Sequence, residues 1–262
     1  VLASWRAFRA LPACGGFMIV WLFEHLVLVH IAVGSFGLVA FWVPIIGRKG
    51  GVNHRRWGLW FAWAMLVNGV LAAAMAACTL IAPLPTHPKL TDAAMVRGIF
   101  GWMMLYLGIL TASLAWHSLT VVRNKLDHKA NRAPLHVVMQ AITVASALNC
   151  LALGVTLGQP LMIAMPFIGF AAAGTNLWFI FKPAPPRMDY LIEHLKAGVG
   201  AGISCYTAFL AFGAVRYAPH HALNPVAWSI PCIIGLGIIF WHAGKRNYFE
   251  RFKWKRKGVA AE

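Results

Sequence analysis

Apolar residues fall along this chain in long runs, broken by short segments rich in glycine, proline, lysine or arginine. A helix needs about 20 apolar residues to cross the roughly 30 Å hydrocarbon core of a bilayer, and seven segments reach or approach that length. The first runs from about Phe17 to Ile46 and stops at Gly47-Arg48-Lys49-Gly50-Gly51. The second covers Trp57 to Ala82, closed by Pro83-Leu84-Pro85, and the third covers Arg97 to Val122. The apolar stretch from Leu135 to Phe181 is too long for one span. Gly158-Gln159-Pro160 near its middle predicts a turn that divides it into a fourth and a fifth helix. The sixth helix follows Pro183-Ala184-Pro185-Pro186 and runs from about Leu191 to Val215; Asn224-Pro225 opens the seventh, which ends near His242-Ala243-Gly244. The pattern predicts an all-α membrane protein, a bundle of about seven transmembrane helices. It comprises an interfacial N-terminal segment (1–16), the transmembrane domain (17–244) and a basic aromatic tail (245–262). The run from Phe17 lacks a short apolar region followed by a small-residue cleavage site and is expected to be a retained span.

Composition agrees. Of 262 residues 60% are hydrophobic and 11% charged, whereas a soluble domain carries about 25% charged residues. That arithmetic excludes disorder, a disulfide scaffold, a coiled coil and a nucleic-acid-binding domain. The five scattered cysteines, without C-x-x-C spacing, read as small buried hydrophobes.

The formal charge of +16 has a topological explanation. Lys and Arg in short connections resist translocation. Of the 23 cations, Arg6, Arg9, Lys89, Arg97 and Arg216 belong to the N-terminal tail and alternate connections. The remainder lie at the other end of the predicted helices, in the 47–56, 123–132 and 182–196 regions and in the tail from Lys245 to Lys257. This asymmetry predicts an N-terminus outside and a C-terminus in the cytoplasm. The tail interleaves Tyr248, Phe249, Phe252 and Trp254 with its cations, a pattern expected to lie along anionic headgroups. Trp5 to Arg9 reads the same way on the opposite face.

Ionisable residues within spans are costly and point to function. Glu24 is the acidic residue placed clearly inside a predicted span. It either snorkels outward or pairs with Arg97 or Arg216, or it forms an outward-opening proton or cation site with His25. His25 and His30 are the intramembrane histidines among eleven, and five positions turn them about 140° apart on a helix. His54, His117, His128, His136, His194 and His242 fall at or near the cytoplasmic surface; His87, His220 and His221 fall outside. A central bis-histidine haem is disfavoured because His30 has no midplane partner. His117, His194 and His242, at the cytoplasmic ends of helices three, six and seven with His54 nearby, either converge on a haem or metal or cap helix ends at the interface. The sequence holds no H-E-x-x-H, paired histidine box, G-x-S-x-G or P-loop, and His220-His221 is a weak metal signal. His30/Gly34, His54/Gly58 and His194/Gly198 share His-x-x-x-Gly spacing, and Gly198 with Gly202 forms G-x-x-x-G; both patterns read as close helix packing. Asn68, Asn149 and Asn176 are expected to hydrogen-bond between helices or to line a pore.

The stretch His30-Ile31-Ala32-Val33-Gly34, followed by Arg48-Lys49-Gly50-Gly51-Val52-Asn53-His54-Arg55-Arg56-Trp57-Gly58, resembles a group of uncharacterised bacterial integral-membrane proteins. Their pattern is an H-I-x-x-G helix and an R-K-G-G-x-x-H-R-R-x-G loop. The region from Tyr190-Leu191-Ile192-Glu193-His194 to Pro231 is similar to their C-terminal part. The resemblance implies a multi-span protein, expected in the bacterial inner membrane, and brings no activity with it.

Two classes of function follow. One is a membrane redox or proton-handling protein binding haem b or quinone through His117, His194, His242 and His54, with Glu24, His25 and His30 as a proton or ion site. The other is a non-catalytic accessory subunit of a larger membrane complex, or a homo-oligomer, motivated by sparse intramembrane charge, the G-x-x-x-G face and the tail. A transporter ranks lower because the spans show no clear inverted repeat, and no catalytic constellation names an enzyme.

Overall fold

The computed structural model describes residues 13–213 and 225–245, and among them every regular element is helical. Seven long helices follow in order: α1 (Ala13–Ile46), α2 (Val52–Ile81), α3 (Ala93–Arg123), α4 (Pro134–Leu157), α5 (Pro160–Phe181), α6 (Arg187–Ala208) and α7 (Pro225–Gly244). Within α3 the segment Arg97–Met103 is π-helical, and α6 continues as a π-helix over Phe209–Gly213. Each predicted stretch therefore holds a helix. α1 to α5 are long and apolar enough to cross a membrane, and the chain is an integral membrane protein on that basis. α6 matches α5 in length but carries Asp189, Glu193 and Lys196 in its first three turns, and the apolar run in α7 covers Trp228–Gly244.

Local chemistry sets the boundaries. The turn between α4 and α5 falls at Gly158, whose φ of 62° is the left-handed conformation that suits glycine, and Pro160 opens the next helix at a position that lacks a partner for N–H anyway. α3 begins earlier than the apolar run suggests because Asp92 caps it, accepting from Ala94 N at 2.9 Å and Met95 N at 3.0 Å. α2 likewise starts at Val52, with Arg55 and Arg56 exposed on its first turn. Lys49 closes α1 by donating Nζ to the carbonyls of Pro44 and Ile45.

α3 runs between α2 and α6 and also touches α4; α1 packs along α2, α5 along α4 and α7 along α6. α2 and α3 approach closely at a pair of glycines. A Cβ on Gly108 would lie 2.8 Å from the Gly69 carbonyl oxygen, and one on Gly69 would lie 2.6 Å from that of Gly108. The Gly198/Gly202 pair of α6 serves contacts within the bundle: a Cβ on Gly202 would strike the Phe41 ring of α1, and one on Gly198 would lie 3.1 Å from Ser118 Oγ. Cys78, Cys150 and Cys205 are buried free thiols. Trp5 to Arg9, Arg216, His220, His221 and the tail beyond Lys245 lie outside the described residues.

Candidate functional site

Where α3, α4, α5 and α6 meet, each contributes polar residues. Ser113 and His117 lie four apart on α3, as do His136 and Gln140 on α4; Thr175 and Asn176 are neighbours on α5; Glu193 and Lys196 lie three apart on α6. Spacings of three and four stack side chains on one helix face, so polar stripes of α3, α4 and α6 meet in the bundle together with the buried Asn176 of α5.

They form two layers. In the inner one Asn176 Nδ2 donates to Gln140 Oε1 at 3.1 Å and Gln140 Nε2 donates to Ser113 Oγ at 3.0 Å. One turn away, His136 Nε2 lies 2.8 Å from His117 Nδ1, and His117 Nε2 lies 3.3 Å from Glu193 Oε2. Lys196 Nζ closes the chain, 2.6 Å from the same Glu193 oxygen, and donates to Thr175 Oγ1 at 2.9 Å. His117 and Gln140 are fully buried, and His136, Asn176 and Glu193 nearly so; the Lys196 side chain is 25% exposed. The chain thus runs from the lysine at the bundle surface to an imidazole in its interior. Nδ1 of His136 has no partner in hydrogen-bonding geometry, with the Asn131 backbone beside the ring. Asn176 Oδ1 is likewise buried without a partner. Buried polar groups are as a rule hydrogen-bonded, so these two atoms mark where the network offers a bond it does not complete.

Phe179 closes this region, edge-on to His117, His128 and Tyr190. Around it Lys182 pairs with Asp189 and lies over the Trp178 ring, while Arg132 Nε donates to the Ile180 carbonyl at 3.3 Å. His128, in the 3₁₀ turn His128–Arg132 between α3 and α4, is held below the ordinary imidazole range by burial and by the nearby Arg132 charge.

A second histidine cluster adjoins the first. His194 Nδ1 donates to the Ser118 carbonyl at 2.9 Å, and its ring stands 6.2 Å from that of His54, edge to face. His54 Nδ1 donates to the Pro44 carbonyl at 3.1 Å. Successive residue pairs, His117–Glu193 and Ser118–His194, therefore stitch α3 to α6.

The expected residues are redistributed. His54 and His194 come together, whereas His117 turns to His136 and Glu193, and the His242 ring on α7 lies 5.0 Å from that of Trp241. Among the described residues no group of three or more His, Cys, Asp or Glu side chains is arranged to hold a metal. Glu24 and His25 are exposed on α1, where His25 Nδ1 donates to the Trp21 carbonyl at 2.7 Å. His30 is half-buried and lies against the Asn68 backbone of α2. Arg97, one of the two partners considered for Glu24, donates Nε to the Leu80 carbonyl. Asn176 makes the expected interhelical bond, while Asn149 is exposed. Glu193 was not singled out from the sequence because it sits two residues inside the apolar run of its helix, where a charge reaches the interface easily. His136 and Gln140, like Ser113 and His117, carry a signal in their spacing of four on consecutive spans.

Comparison with protein-family models, curated proteins and solved structures gives no match.

Proposed function

We propose that the chain is a seven-span protein of the bacterial inner membrane, with its N-terminus outside and C-terminus in the cytoplasm, that handles protons through the Glu193–His117–His136 chain near the cytoplasmic face. One observation carries this reading: a carboxylate and two imidazoles, buried between helices, sit in hydrogen-bonding sequence with a lysine at the outer end. With Glu193 ionised, it accepts the Nε2 proton of His117. His117 Nδ1 then accepts from His136 Nε2, which leaves His136 Nδ1, beside the Asn131 backbone, as the open lone pair of the chain. A proton arriving at that lone pair lets the Nε2 proton of His136 pass to His117, and the Nε2 proton of His117 pass to Glu193. Each group ends one step along, and Lys196 balances the carboxylate charge in the starting state.

The asymmetry of lysine and arginine supports the orientation, and the helix at each of the seven apolar stretches supports the count. Of the redox and proton expectations, the proton one draws the support, because both nitrogens of His117 are engaged by protein groups. Proteoliposomes loaded with a pH-sensitive dye test it. Under an imposed potential the protein is expected to raise proton flux, and Glu193→Gln or His117→Phe to remove at least nine-tenths of the increase. Equal flux in wild type and both variants overturns the reading.

A further inference from the structure

We infer that His54 and His194 form a two-imidazole site for a late first-row transition-metal ion, of the zinc or copper type. The inference does not depend on proton transfer through Glu193. A ligating imidazole presents one nitrogen to the metal and donates the other N–H to a carbonyl or carboxylate, which fixes both the tautomer and the ring orientation. Both rings meet that condition. His54 Nδ1 is held by the Pro44 carbonyl and His194 Nδ1 by the Ser118 carbonyl. Each Nε2 therefore carries the lone pair, and no described side chain bonds it.

The carbonyl acceptors have structural causes. Pro44 lies in the last turn of α1, whose carbonyls have no helical partner of their own; the same oxygen also takes a Lys49 proton at 2.8 Å. The Ser118 backbone is brought to His194 by the close approach of Gly198, and Ser118 Oγ donates to the His194 carbonyl at 3.2 Å. Four helices thus build the pair, α1 and α3 supplying the acceptors and α2 and α6 the imidazoles.

Distance fits as well. Two imidazoles that share one ion, at about 2.0–2.1 Å per metal–nitrogen bond, place their ring centres about 5–6 Å apart according to the angle between the two bonds; the observed separation of 6.2 Å lies at the wide end of that range. The ligand type selects the ion. Neutral nitrogen donors without a carboxylate suit zinc, copper or nickel and offer little to magnesium or calcium. Arg55 and Arg56 on the first turn of α2 set an opposing positive field, which favours an ion of low charge and weakens binding of a divalent one. With two protein ligands, the remaining coordination positions are open to solvent or to an exchanging ligand.

The test uses the full chain in detergent, carrying His220→Ala and His221→Ala so that the outer histidine pair does not contribute. Zinc and, under reducing conditions, cuprous ion are each titrated against a chromophoric chelator. We expect one ion per chain, lost in His54→Ala and again in His194→Ala, and kept in His242→Ala. His54 stands at the exposed start of α2, so His54→Ala keeps the test valid should His194→Ala fail to fold. Stoichiometric binding that survives the His54→Ala, His194→Ala double variant overturns the inference, as does the absence of any ion bound at micromolar concentration. A Soret band that disappears in the same variants also overturns it, by assigning the pair to haem.

Discussion

α1 and α3 are both long apolar helices, yet they relate to the bundle in opposite ways. In the most apolar stretch of α1, 22% of the residues are buried against protein; in that of α3, which is less apolar, 61% are. In water the more apolar helix would be the more deeply buried. A bilayer removes that preference, because lipid solvates leucine and phenylalanine as well as a protein interior does. What draws helices together is close backbone approach and hydrogen bonding, and α3 has both. It meets α2 at Gly69 and Gly108, and it brings Ser113, His117 and Ser118 to α4 and α6. α1 turns Phe17, Leu28, Ile31 and Val39 outward instead.

The sharpest way to break this contrast is at the glycine crossing. Gly108→Leu places side-chain carbon where the Gly69 backbone now lies and is expected to cost about 3 kcal/mol or more, whereas Gly174→Ala on α5, with nothing near its Cβ, should leave the thermal midpoint in detergent unchanged. Next comes the ion-paired chain. Removing one partner of a buried pair costs about 3–5 kcal/mol; because Lys196 is partly exposed, Glu193→Leu is expected to lose about 2–3 kcal/mol, read as a lowered midpoint together with lost proton flux. Asn176→Ala deletes one interhelical bond and strands Gln140 Oε1, for a loss of about 1–2 kcal/mol. Equal midpoints for Glu193→Leu and a lipid-facing variant would remove the distinction between the two helices.

A smaller effect lies in the connection after α2. The ring of His87 packs 4.4 Å from Phe100 and 5.5 Å from Phe23, and burial holds its imidazole below the ordinary value. The unfolded chain then binds more protons than the folded one near and below pH 6.5. The stability from His87 is therefore present above about pH 6.5 and declines as pH falls through the depressed folded value. His128 has the same sign. His87→Gln is expected to flatten the acid side of a midpoint-against-pH curve, and an unchanged slope would show that other groups set that limb. Last, Val39→Ala on the lipid face of α1 should stay within about 0.5 kcal/mol of wild type.

Much of the architecture was legible because hydropathy along a chain reports directly on its solvent. The glycine-proline turn at Gly158 to Pro160 and the long apolar runs correspond to helices whose ends are set by local chemistry. The site was legible in part. His117, His194 and His54 were singled out for lying at one end of the helices, but depth does not give rotation about the helix axis. Rotation decides that His117 faces His136 and Glu193, while His194, next to Glu193, faces His54. Glu193 and Gln140 were missed for the same reason: each is one polar residue in an apolar run until another helix supplies its partner.

By itself, then, the sequence determined that the chain is helical and membrane-embedded, and which of its residues are too polar to face lipid freely. Those are one-dimensional consequences of transfer energy and backbone hydrogen bonding. Only the tertiary structure decided which polar residues meet, because hydrogen bonds between helices depend on their mutual rotation and on how closely glycines let them approach.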